Sequence, residues 1–175
     1  MINKNQHPQF IKIGNWVSRR LIRLETTFVF IFIIGMLFRV SMIAYSSMLI
    51  ILSLSLLSMI YYLSGFAESN NGHTSTMDKL INQLPSFGSS IGVIGILFGI
   101  QSWPGGNNII VVGSIVLIIA IILQMSTKKQ PKAKFDLRLL WRLISIVLIT
   151  LILNFVPKNE LIKYRVIQQG NYIEK

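Results

Sequence analysis

The sequence predicts an all-α membrane protein with about five transmembrane helices: two tandem helical hairpins, related as a parallel repeat, plus one C-terminal span. Three observations carry this. Apolar residues make up 52% of the 175 residues and charged residues only 13%, against about 25% in a soluble domain, so lipid is the expected solvent. The apolar residues collect into runs long enough to cross a hydrocarbon core, which takes ~20 helical residues at ~1.5 Å each. The charges lie between those runs, so the net charge of +11 reads as membrane topology and excludes a soluble nucleic-acid binder.

Residues 1–26 form a basic head. It is too long and too polar for a secretory signal, and the run that follows exceeds an h-region. Phe10, Ile13, Val17, Leu21 and Leu24 recur at helical spacing, with Lys12, Arg19 and Arg23 opposite. That pattern suits a helix lying in the interface; a frayed basic anchor suits it too. Residues 27–64 carry one charge, Arg39, and have the length of a first hairpin. Residues 65–85 are a polar loop with Lys79 and the turn signal Asn71-Gly72. Residues 86–125 are a second hairpin, broken at Trp103-Pro104-Gly105-Gly106, where Pro and Gly end a helix. Residues 126–138 are a basic loop, and 139–156 a fifth span bounded by Trp141, Arg142 and Pro157. In the tail, 157–175, residues 163–167 have strand-like character suited to a partner's sheet edge. A disordered end is the other reading.

Lys and Arg counts set orientation. Five spans put the head and both polar loops on one side with 11 Lys and Arg, against 5 on the other. The expectation is a bacterial inner-membrane protein with its N-terminus cytoplasmic and its C-terminus periplasmic.

A shift of 60 residues lays Gly35-Met36-Leu37-Phe38 over Gly95-Ile96-Leu97-Phe98 without a gap. Both hairpins then enter from the same side. The second unit, with Gly95, Leu97, Phe98, Trp103, Pro104, Gly105 and Gly113, resembles the Gly-x-Leu-Phe-Lys-x-x-His-Trp-Pro-Gly signature of GldL-type membrane hairpins of Bacteroidota. That family includes the L subunit of the gliding-motility and type nine secretion motor. The resemblance covers residues 87–124, and more weakly 28–63. It implies a hairpin fold and assembly with other membrane subunits. The signature's Lys is replaced by Gly99 in the second unit and Arg39 in the first, and its His by Ser102. Leu117 stands where the motor protein has a membrane-embedded Glu. The spans, read from 27 onward, hold no Asp or Glu, so the motor chemistry is not expected to carry over.

Gly88, Gly92, Gly95, Gly99 and Ser102 fall on one helical face. A small-residue face admits close backbone approach, within the chain or to a partner. Arg39, placed shortly before a turn, is expected to snorkel to headgroups, or else to meet a lipid phosphate or a partner's carboxylate. Tyr45, Tyr61, Tyr62, Trp103 and Trp141 suit aromatic belts. Ser53, Ser55 and Ser58 suit hydrogen bonds to their own or a neighbouring helix.

His7 and His73 stand alone, so no metal site is expected. Cysteine is absent. No catalytic or cofactor-binding residues stand out. The expected function is a non-enzymatic membrane subunit or scaffold. Its expected partners are membrane lipids, other membrane proteins or copies of itself, and not nucleic acid. A small transporter or channel is the alternative.

Overall fold

A computed structural model describes residues 8–67, 76–126 and 137–167. Six helices account for most of these: α1 (Pro8–Val40), α2 (Ser46–Ala67), α3 (Thr76–Gln101), α4 (Gly106–Ser126), α5 (Leu137–Phe155) and the short α6 (Lys158–Lys163). The first five are long and apolar enough to cross a membrane. The protein is an all-α, multi-pass membrane protein. α1 packs on α2, α2 on α3 and α3 on α4, while α5 lies against both α3 and α4. α3 is the centre: its apolar window is 61% buried, against 6% for that of α1.

The 60-residue repeat extends to atomic detail. Both hairpin turns are Schellman caps, in which the helix ends on a left-handed residue and two amides turn back to the last carbonyls. Ile43 N donates to Phe38 O and Met42 N to Arg39 O; 60 positions on, Trp103 N donates to Phe98 O and Ser102 N to Gly99 O. Positive φ falls at Met42 (59°) and Tyr45 (66°), and at Ser102 (55°) and Gly105 (80°). The helix seams repeat as well. Gly35 lies against Leu49 and Ile50, and Gly95 against Ile109 and Ile110. The motif therefore has a mechanical meaning. Gly95 lets α3 and α4 close together, the Phe98 and Trp103 rings meet edge to face at 4.9 Å as the apolar clasp of the cap, and Gly105 takes a backbone conformation that L side chains resist.

Three expectations change. The head does not lie apart as an interfacial helix: α1 runs unbroken for 33 residues, ~50 Å at the usual rise. Residues 20–27 contain no helix breaker. The apolar stripe packs on the bundle, with Val17 buried and Gly14 against Leu63 and Ala67. The loop of 65–85 is shorter than expected, because α2 continues to Ala67 and α3 starts at Thr76. The tail is neither a strand nor a loose end between 158 and 167. It forms α6 and a turn that bury Leu161 and Ile167. His7, His73, Asn71-Gly72, the lysines of 128–134 and the last eight residues lie outside the described residues.

The seam and the turn should respond differently to added bulk. A Cβ on Gly95 would sit 3.2 Å from Ile110 Cα, whereas one on Gly105 meets nothing within 4 Å. Gly95→Val should cost ~1–3 kcal/mol by overpacking, and Gly105→Ala only ~1 kcal/mol of backbone strain. Thermal unfolding in mild detergent should therefore show the larger drop for Gly95→Val; the opposite order would contradict the seam.

Candidate functional site

The small-residue face of α3 is occupied by this chain's own helices. Gly88 faces Val116 and Leu117, Gly92 faces Leu117 and Ile146, Gly95 faces the Ile110 backbone and Gly99 faces Ile110 and Leu153. Ser102 is the left-handed cap residue of the turn, and Leu117 is fully buried.

The turn end of the bundle is organised by Arg39. Its side chain turns into the end of the bundle. It is 8% exposed and reaches four acceptors of its own chain. Nη1 donates to Ile100 O (3.2 Å) and Val166 O (3.2 Å). Nη2 donates to Ser47 Oγ (3.0 Å) and Gln101 Oε1 (3.0 Å). Gln101 Nε2 donates in turn to Ser47 O at 3.3 Å.

The reason lies in the Schellman caps. Each satisfies the two carbonyls before the final helical one and leaves that last carbonyl open. In the two repeats this is Val40 O and Ile100 O, 60 positions apart. Arg39 caps Ile100 O, and Arg165 caps Val40 O at 3.1 Å. The lock is reciprocal, because the residue after Arg165 supplies an acceptor to Arg39. No carboxylate stands within ion-pair distance of Arg39 among the described residues. Its charge faces the carbonyl ends of α1 and α3, the negative poles of both helices.

A second polar cluster lies nearer the loop end. Tyr61 Oη donates to Glu25 Oε1 at 2.7 Å. Arg142 Nη1 lies 3.8 Å from Glu25 Oε2, and the Arg142 guanidinium stacks over the Tyr61 ring at 4.8 Å. The Arg142 side chain is 8% exposed, and its Nε is buried without a hydrogen-bond partner. Tyr61 is thus buried rather than set in an aromatic belt, while Tyr45, Tyr62, Trp103 and Trp141 are exposed. The expectation that no carboxylate lies within the spans is also corrected. Glu25 belongs to the span Lys12–Val40, because α1 does not break before residue 27. A readable signal existed: Glu25 is the sole acidic residue of the first 67, and Arg142 stands inside the fifth apolar run.

This cluster sits at the polar end of a groove of about 760 Å³, within the usual range of ligand pockets. α1 and α5 are its walls; Leu54, Leu57 and Tyr61 of α2 and Val93 and Ile96 of α3 are its floor. Between the two clusters, serines tie helices together. Ser58 pairs with Ser90 at 2.9 Å and Ser114 with Thr150 at 3.1 Å, while Ser53 returns to Ile50 O of its own helix.

Comparison with protein-family models, curated proteins and solved structures finds no match to this chain. The class that fold and site define is a multi-pass helical membrane protein whose buried polar groups hold helices together.

Arg39→Met should strip Ile100 O and Val166 O of their donor. An unsatisfied buried acceptor costs ~1–3 kcal/mol, and ~1.4 kcal/mol is tenfold in an equilibrium. Trypsin should then cut after Lys163 and Arg165 roughly tenfold faster than in the parent protein. An unchanged cleavage rate would mean that the tail is held without Arg39.

Proposed function

We infer that this chain is a non-enzymatic subunit or scaffold of a bacterial inner membrane, built to assemble with other membrane proteins or with copies of itself. One observation carries the reading. α1 is attached along α2, and its apolar window is only 6% buried against 61% for that of α3. Phe30, Leu37 and Val40 stand exposed along it. The buried ionisable groups, by contrast, are used in capping and pairing. The secretion or motility kind of assembly is proposed on the hairpin's resemblance to the GldL-type family. The N-terminus is proposed to be cytoplasmic and the C-terminus periplasmic, from the Lys and Arg distribution.

The transporter or channel alternative needs polar groups along a shared passage. The serines and threonine between the two clusters bond across helix pairs, and Ser58, Ser90, Ser114 and Thr150 do not line the groove.

A photoreactive residue at Leu37 (61% exposed) should crosslink to a second membrane polypeptide, and one at Ile50 (0% exposed) should not. Adducts with lipid alone at Leu37, together with a bare monomer in mild detergent, would overturn the assembly reading. Topology is testable because the chain has no cysteine. Asn159→Cys should react with an impermeant thiol reagent in intact spheroplasts, and Lys12→Cys, at the start of the first span, only after permeabilisation. The reverse pattern would invert the orientation.

A further inference from the structure

α2 leaves a single narrow seam uncovered. Of its 22 residues only Met48, Leu52, Ser55, Met59 and Tyr62 are exposed; α1 and α3 pack on the rest. The steps are four, three, four and three residues, the alternation that keeps one stripe of a helix turned toward a partner helix. Met48 is 68% and Met59 57% exposed, and methionine adapts its shape to the surface it meets.

Ser55, midway along the seam, is set apart by its hydroxyl. Ser53, Ser58 and Ser64 of the same helix are hydrogen-bonded within the chain. Exposed Thr26, Thr27 and Ser145 turn back to carbonyls of their own helices. The Ser55 hydroxyl does neither among the described residues. A hydroxyl without a partner is unfavourable in an apolar medium, and small residues that hydrogen-bond across helices are typical of membrane interfaces. Tyr45 adds a second imbalance at the turn end of the same series, three residues before Met48. Its φ is 66°, in the region where a Cβ is strained, and the equivalent residue 60 positions on is Gly105. Its ring is 81% exposed, so contacts within the chain offset little of that strain.

We propose that this seam pairs with the same seam of a second copy, the two α2 helices side by side about a two-fold axis along the membrane normal. A two-fold interface is self-complementary. Serine is both donor and acceptor, so two copies of Ser55 satisfy one another. The seam carries no charge, so symmetric pairing brings no like charges together. The outer face of α1 fails on that count, because exposed Arg19, Arg20 and Arg23 would meet their own copies. α4 exposes a broad branched face instead of a seam, and its Ser114 is already bonded to Thr150. The pairing rests on the assembly reading and names its partner, a second copy, and its surface, α2.

Disulfide scanning of the full chain in native membranes tests it, since the protein has no cysteine of its own. Two differently tagged copies, expressed together, identify a dimer of this chain. Ser55→Cys, oxidised with iodine, should give at least fivefold more linked dimer than Ile115→Cys on the exposed face of α4. Leu52→Cys and Met59→Cys should also exceed that control, and Leu56→Cys, off the seam, should match it. Ser55→Phe should lower the dimer fraction in mild detergent at least fivefold, and Ile115→Phe should leave it unchanged. Should Ser55→Phe fail to fold, Leu52→Ala combined with Met59→Ala should lower it in the same direction. Equal yields at 55 and 115 would mean random collision and would overturn the pairing, as would a dimer fraction indifferent to the seam variants. A bond from position 55 to a different polypeptide would overturn it too, while leaving the assembly reading standing. So would no bond at any seam position with Leu37 still crosslinked to a membrane polypeptide.

Discussion

The last carbonyls of a helix have no partner within the helix, so one that is buried needs a donor brought to it. Both hairpins of this protein turn in the same way and leave the same carbonyl open. The donors are arginines from elsewhere in the chain: Arg39 of the first hairpin for Ile100 O, and Arg165 of the tail for Val40 O. One side chain therefore joins the first hairpin, the second and the tail. Burying a charge is costly unless it is paired or hydrogen-bonded. Four acceptors and two helix poles offset that cost, each hydrogen bond to a charged group contributing ~1.5–3 kcal/mol. The Lys-like position of the motif is thus used as a structural cap in the first unit, while in the second Gly99 makes room for Ile110 and Leu153.

Much of this architecture was legible in the sequence. Run length predicts the five spans, and the 60-residue offset predicts two hairpins, whose Schellman caps and glycine seams recur at matching positions. What the sequence could not show was which way long side chains turn. Arg39 is near a helix end, and from position alone snorkelling is the cheaper path. Its inward turn depends on Gln101 and Val166, 62 and 127 positions away, and no periodicity reports such distances. The head departs from expectation for a related reason. Its amphipathic stripe fits an interfacial helix equally well, and only the contact of Gly14 and Val17 with the bundle decides that it faces protein. Glu25 stands just before the apolar run that begins at residue 27, so run length alone does not place it in the first helix. The tail's β-branched residues suggested a strand, but Leu161 and Ile167 gain more by closing the bundle end.

The two polar clusters divide the molecule. At the turn end every donor of Arg39 that bonds finds an acceptor within the chain, and the helices are locked. At the loop end Glu25, Tyr61 and Arg142 link α1, α2 and α5, yet leave Arg142 Nε unsatisfied and a groove beside it. α1 is therefore held at its C-terminal turn by the arginine caps and along its length by α2.

The central claim is that Arg39 joins the two hairpins through the end of α3. A double-mutant cycle on reversible unfolding in mixed micelles measures it directly, using Arg39→Met, Gln101→Leu and the pair. Strong coupling is expected: the double variant should be less destabilised than the sum of the singles by ~1–3 kcal/mol. Additivity within ~0.5 kcal/mol would mean that the hairpins are held together without this contact.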